Sequence, residues 1–144
     1  MDTLKSKREL IQQFITDIWN ESRFDLLTDY IHADFVDHSL PANLPPNAEG
    51  LKSWIIGTGK SFKHRSVIEE QVAENDKSMI KFRMYLKHIG IWRNIEPAGA
   101  EVSVIGYRYF KIKEGKIIEH WALLDGNSIE NQLKDAAMGC KSQD

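Results

Sequence analysis

Hydrophobic residues fall into two periods along the chain, one near four and one of two. From Leu4 to Trp19 the apolar positions are Leu10, Ile11, Phe14, Ile15, Ile18 and Trp19, the stripe of an amphipathic helix. "NESRFD" interrupts it, and Phe24, Leu27 and Ile31 predict a second, short helix. "ADFVDHS" reads as a brief extended piece. "LPANLPPNAEG" must be a loop, because its prolines lack the N–H that a helix interior or a central strand requires. Leu51, Trp54, Ile55 and Phe62 give a third helical face, loosened by Gly57 and Gly59.

After His64 the period drops to two. "SVIEEQVAE" predicts a strand and "NDK" a turn. Ile80, Phe82, Met84, Leu86 and His88 then alternate with Lys81, Arg83, Tyr85 and Lys87, as in a strand buried on one face. "EPAG" turns the chain again, ahead of strands over Glu101–Lys113 and Lys116–Leu124. A helix over Ser128–Ala137 closes the sequence, with Asp125 or Asn127 placed to cap it. Helices first and an antiparallel meander afterwards predict one α+β domain over residues 1–144, with helices packed on one face of a curved sheet.

The last hairpin carries the candidate chemistry. A two-residue loop at Glu114-Gly115 would need positive φ at both positions, which suits Glu poorly. A three-residue loop, Lys113-Glu114-Gly115, needs it only at the glycine, so that register is expected. It pairs Arg108 with His120 and Phe110 with Ile118. One face then holds Val104, Gly106, Arg108, Phe110, Ile118, His120, Ala122 and Leu124. The other holds Ile105, Tyr107, Tyr109, Trp121, Leu123 and Asp125. Gly106 and Ala122 are small and leave room above the sheet. Burial and a neighbouring cation both disfavour imidazolium, so His120 is read as a neutral proton acceptor and Arg108 as a stabiliser of an enolate or carboxylate. The plain alternatives are a solvated pair of Arg108 with Glu69 or Glu70, a core histidine satisfied by a backbone carbonyl, and a helix-capping Asp125.

His88 sits in the apolar phase of its strand and needs a partner there. His38 precedes the proline loop, where a chain enters a cavity mouth. His32 and His64 look like helix-end and loop residues and receive no role. No H-x-H or H-E-x-x-H spacing supports a metal site, and no glycine-rich phosphate loop or G-x-S-x-G is present.

Composition narrows the setting. The 144 residues are 42% apolar and 28% charged, with net charge −2 and no basic block, which argues against nucleic-acid or membrane-surface binding. No apolar window is long enough to span a bilayer, and "MDTLKSKREL" lacks the apolar core of a secretory signal. The single cysteine, Cys140, leaves no internal disulfide and points to a reducing, cytoplasmic setting.

"ADFVDHS", "HIGIWRNIEPAG" and "YFKIKEGKIIEHWALLDGNSIENQL" together resemble the SnoaL-like polyketide cyclase family of the NTF2-like superfamily. The likeness in pattern runs from the first helix to the last. The "dGKI.EHW" hairpin followed by an aspartate is its most specific part, here Gly115-Lys116-Ile117, Glu119-His120-Trp121 and Asp125. The family's histidine after "yvd" matches His38. Its T-H-x-G matches Lys87-His88-Ile89-Gly90 with Lys for Thr, and its P-T-G matches Pro97-Ala98-Gly99 with Ala for Thr.

The resemblance implies a conical pocket between sheet and helices, acid/base chemistry without metal or organic cofactor, and an intramolecular aldol closure in the cyclases. It also implies a homodimer through the open sheet face, which here presents Tyr107, Tyr109 and Trp121. The cyclases use an aspartate of the last strand as acid/base. Here the inward residue is His120, so either His120 has taken that role or a bulge turns Asp125 inward. The expected site is therefore His120 as base or acid, with Arg108 and His88 stabilising negative charge, His38 at the mouth and Asp125 as the other acid. Phe14, Trp54, Phe62, Phe82, Met84, Phe110 and Leu124 would form apolar walls around a small apolar or aromatic carbonyl compound. A pocket that only binds such a ligand is the other expectation.

Overall fold

The computed structural model describes residues 4–142, with side chains described for 6–138, so Met1–Thr3 and the side chain of Cys140 lie outside the described residues. Helix α1 (Leu4–Phe14) runs into a π-helical turn, Ile15–Asn20, that buries Ile15, Ile18 and Trp19. The wider turn carries the apolar stripe past its last α-helical residue and sets the Trp19 ring against the sheet. A 3₁₀ turn (Phe24–Leu26) and helix α2 (Leu27–Tyr30) lead into strand β1 (Ile31–Asp37). The proline loop follows, then helix α3 (Ala48–Ser61), whose start is capped by Asn47 accepting from the Gly50 N–H at 3.1 Å. Four long strands come next: β2 (Phe62–Glu74), β3 (Lys77–His88), β4 (Glu101–Lys113) and β5 (Lys116–Leu124). Helix α4 (Gly126–Ser142) ends the fold.

The five strands form one sheet in the order β1-β5-β4-β3-β2. Every neighbouring pair is antiparallel except β1 with β5, which is parallel. Register shifts between Ile68 and Glu70 in β2, and in β5 opposite Lys111–Ile112, bend the sheet. Its concave face carries Ser78, Ile80, Phe82, Met84, Leu86 and His88 of β3 and the even-numbered residues of β4, all buried as their alternation predicts. Helices α1 and α3 close over that face, with Ile11, Phe14, Leu51 and Ile55 almost completely buried. The architecture is the α+β arrangement expected, helices against one face of a curved sheet.

Four local expectations are corrected. The hairpin turn is the two-residue one: Glu114 (φ 55°) and Gly115 (φ 75°) both lie in the left-handed region, and Lys113 pairs with Lys116. The twist of a two-residue turn matches that of the strands, and this outweighs the steric cost at Glu114. Arg108 therefore lies opposite Ala122 and Phe110 opposite His120, while Ile117 rather than Ile118 is the buried residue near the turn. Phe62 opens β2 instead of ending a helix, and His64 lies within that strand. Ile31 opens β1 instead of closing α2. The last helix begins two residues earlier than expected and runs to Ser142.

Candidate active site

Three charged or polar side chains meet in the buried region where β1, β5 and β4 lie side by side. Asp37, the last residue of β1, is 2% exposed, Arg108 is 5% and His120 is 4%. His120 Nδ1 lies 2.9 Å from Asp37 Oδ2, and its Nε2 lies 3.3 Å from an Arg108 terminal nitrogen. The second Asp37 oxygen accepts from the Ser39 N–H at 2.9 Å. Two backbone bonds hold β1 in place here: His38 N–H donates to His120 O at 2.9 Å and Asp37 N–H to Pro46 O at 3.1 Å. The arrangement sets the tautomer, since the hydrogen that Asp37 requires is on Nδ1 and the lone pair is on Nε2.

The electrostatics follow from burial and charge. Desolvation pushes the His120 imidazole below its ordinary 6.5 and Arg108 pushes the same way. The Asp37 hydrogen bond opposes them without prevailing, so the ring is neutral at pH 7. Burial alone would raise the Asp37 carboxyl. The hydrogen bond and charge of His120, with the Ser39 N–H and Arg108, outweigh it and hold the carboxyl below 3.8. Burial brings Arg108 down to about 10, which leaves it a cation at neutral pH.

Arg108 is held by aromatic faces. Its Cζ lies 4.0 Å from the Trp19 ring centroid and 4.7 Å from that of Phe82. A cavity of about 560 Å³ opens beside these groups, within the range of small-molecule sites. Asp37, Arg108 and His120 line one end of it, and Trp54, Phe62 and Trp92 supply aromatic wall elsewhere.

The expected residues divide on this geometry. Arg108 and His120 converge as read from the sequence, and Trp54, Phe62, Met84 and Leu124 line the cavity. Phe14, Phe82 and Phe110 lie behind the lining as core: Phe14 packs edge-on to Phe110 at 6.0 Å, Phe82 backs Arg108, and Phe110 lies 5.0 Å from the His120 ring. The space above Gly106 is filled, since a Cβ there would meet Phe82 at 2.5 Å and Leu124 at 2.8 Å.

His38 points to the other side of its strand, stacked on Trp121 at 4.4 Å with Glu119 at 3.3 Å. His88 is buried against Phe62 at 5.3 Å, ten residues along β3 from Ser78, whose row holds Phe110 and His120. It does not line the cavity, although Phe62 beside it and Leu86 two residues before it do. Asp125 is exposed and caps α4, accepting from the Ser128 N–H at 3.0 Å. The β5 bulge therefore does not turn Asp125 inward. Glu69 pairs with Arg83 and Lys81, not with Arg108.

Asp37 is the residue that sequence reading missed. Its signal is the alternation in "DFVD": Phe35 is buried at 4% and Asp37 shares its phase. Among the described residues no group of three or more His, Cys, Asp or Glu side chains is placed to hold a metal ion, and no helix is long and apolar enough to cross a membrane.

The sequence model described as SnoaL-like polyketide cyclase matches residues 9–133. Comparison with curated proteins finds no match. Among solved structures, TsrD from Streptomyces laurentii superposes with a TM-score of 0.80 at 20% identity, covering 92% of this chain and 98% of that one. IdmH from Streptomyces antibioticus gives 0.79 at 20% identity, with 88% and 97% covered. A SnoaL-like polyketide cyclase from Agrobacterium tumefaciens strain C58 gives 0.74 at 19% identity, with 92% and 99% covered. At these identities the likeness is one of fold.

Proposed function

Because this chain belongs to the SnoaL-like polyketide cyclase family, and so has the NTF2-like fold, we propose that its cavity carries out cofactor-free proton transfer on a small apolar or aromatic carbonyl compound. The observation that carries this reading is the Asp37–His120–Arg108 chain at the end of an apolar cavity. His120 Nε2 removes a proton from the carbon next to a carbonyl. The electron pair moves onto the carbonyl oxygen, and Arg108 N–H groups receive the enolate charge. Asp37 stabilises the imidazolium that results. Where the enolate is conjugated with a C=C bond, imidazolium returns the proton to the far carbon of that system, giving an isomer; otherwise the enolate carbon attacks a second carbonyl of the same molecule, closing a ring. In the second case imidazolium protonates the new alkoxide, so no proton is gained or lost overall.

The 3.3 Å contact from Arg108 to Nε2 lies at the long end of hydrogen-bond distances. A substrate oxygen that draws the guanidinium away frees the lone pair for the reaction. The same contact is what favours the second reading, a module that binds without catalysis: while Arg108 holds Nε2, the ring is not a free base. Exchange of the acidic C–H protons of 2-tetralone in D2O, followed by proton NMR, separates the two. Catalysed exchange that His120→Gln abolishes supports proton transfer. Binding of 2-tetralone with exchange at the buffer rate supports the binding module.

A homodimer through the convex sheet face belongs to the same proposal. Tyr107 is 46% exposed there, Tyr109 and Trp121 lie 5.4 Å apart, and Tyr85 and Leu123 extend the apolar surface.

A further inference from the structure

Arg108 is the one buried arginine among the described residues, and it has no carboxylate in ion-pair contact. Exposed or half-exposed Arg23, Arg83 and Arg93 reach Asp17, Glu69 and Glu130 respectively. Arg108 donates to a neutral imidazole and stacks on two rings. Asp37 makes no direct contact with it; the carboxylate acts on Arg108 across the His120 ring. A buried cation whose counter-ion lies one side chain away, with no direct ion pair, is costly, and proteins leave few.

Its geometry narrows what would complete it. The Trp19 and Phe82 rings lie 4.0 and 4.7 Å from Cζ and take up part of the space around the guanidinium, whose N–H groups all lie in one plane. One terminal nitrogen is taken by His120, while Nε has no hydrogen-bond partner and is closed off, so an acceptor arriving in the cavity must draw the side chain toward it to use that edge. The Nε side of a guanidinium is a planar, two-donor edge that matches the two oxygens of a carboxylate.

Other polar atoms of the neighbourhood lack partners as well. Trp19 Nε1, His64 Nδ1 and Ser66 Oγ are also buried without partners. They belong to one patch: Trp19 lies under Arg108, His64 meets Trp19 edge-on at 6.2 Å, and Asn20 binds the Ser66 backbone in both directions.

We propose that Arg108 is a carboxylate seat, so that the cavity takes an aromatic carboxylate in preference to a neutral compound of the same shape. The aromatic body would lie along Trp54, Phe62 and Trp92, with its acid end on Arg108. The inference rests on the cavity being the ligand site, as the proposed function has it, and not on proton transfer occurring there.

Titration calorimetry of the wild-type protein at pH 7.5 with 2-naphthoate and with 2-acetonaphthone tests it. The acid is expected to bind at least about tenfold tighter than the ketone, the ratio that one charge-assisted hydrogen bond supplies. Arg108→Leu should abolish that preference while still binding the ketone, with folding checked by circular dichroism. If that variant does not fold, Arg108→Lys, which keeps the charge and loses the fork, should weaken 2-naphthoate severalfold. Equal affinities, a preference for the ketone, or no binding of either compound overturns the proposal. So does an acid preference that survives both Arg108 variants and vanishes in Arg93→Leu, which would place the anion at Arg93. Tetralone exchange is read separately: its loss with the acid preference intact removes only the catalytic reading, and the reverse removes only this one.

Discussion

Asp37 and His120 stand 83 residues apart in sequence and 2.9 Å apart in space, carboxylate to Nδ1. Asp37→Asn keeps the shape of the pair and removes its charge. Burial already pulls His120 down and the Asp37 contact resists that pull, so its loss should lower the imidazole further and weaken it as a base. Tetralone exchange should fall by about 10–100-fold, and the acid limb of its pH profile should move to lower pH. An unchanged rate and profile would make the pair structural only.

Stability should decline as the solution is acidified below pH 6.5. Unfolded, His120 takes a proton near its ordinary value; folded, it refuses one until a lower pH. In that window the unfolded chain binds more protons, so acid favours unfolding. His64 is displaced in the same direction by burial and then by Arg108, and adds to the slope. Asp37 contributes a second loss as the pH falls from about 3.8 toward its lower folded value, because the unfolded chain takes up that proton first. Urea midpoints at pH 7.5, 6 and 5 measure this, and a midpoint that rises toward pH 5 would contradict it. Where His120→Gln folds, it should remove the His120 share of the slope and leave that of His64.

Position 114 is strained by choice of residue. Glu114 holds φ at 55° and Gly115 at 75°, and a Cβ at Gly115 would meet nothing within 4 Å. Glu114→Asn, which tolerates that region, should stabilise the protein by roughly 0.5–1 kcal/mol. Gly115→Ala should cost about 1–2 kcal/mol for backbone reasons alone. Chemical denaturation of the two variants decides between this and a turn indifferent to its residues.

Sedimentation velocity addresses the convex face. The wild type should run as a dimer, and Tyr107→Glu, at a position 46% exposed, should shift it toward monomer without lowering its thermal midpoint as a monomer. A wild-type monomer at ~100 µM, far above the Kd of a stable dimer, would remove that surface from consideration.

The sequence made the central strands legible because burial on one face writes itself as alternation: Ile80 to Leu86 read correctly, and so did Arg108 and His120. The reading placed His120 inward despite the wrong turn. A turn one residue shorter and a bulge one residue longer leave the parity of β5 beyond the bulge unchanged, so only Ile118, between them, was misassigned. Phe62 and His64 were misplaced because nothing between Gly59 and Phe62 breaks a helix, and the change of element there is decided by pairing with β3. Asp37 was passed over for its neighbour His38. A strand as short as β1 gives few alternations to count, and its parallel partner leaves no local signature. The unpaired edge of Arg108 had no trace in the sequence at all, since it depends on where five elements place their side chains.

The parallel seam between β1 and β5 has a consequence for how this protein is made. Its aspartate is synthesised early and its histidine late, and the meander must be in place before the two can dock. A chain still emerging from the ribosome, or one cut within the proline loop and separated, holds only one member of the pair. The buried contact thus closes late in assembly, once both ends of the sheet exist.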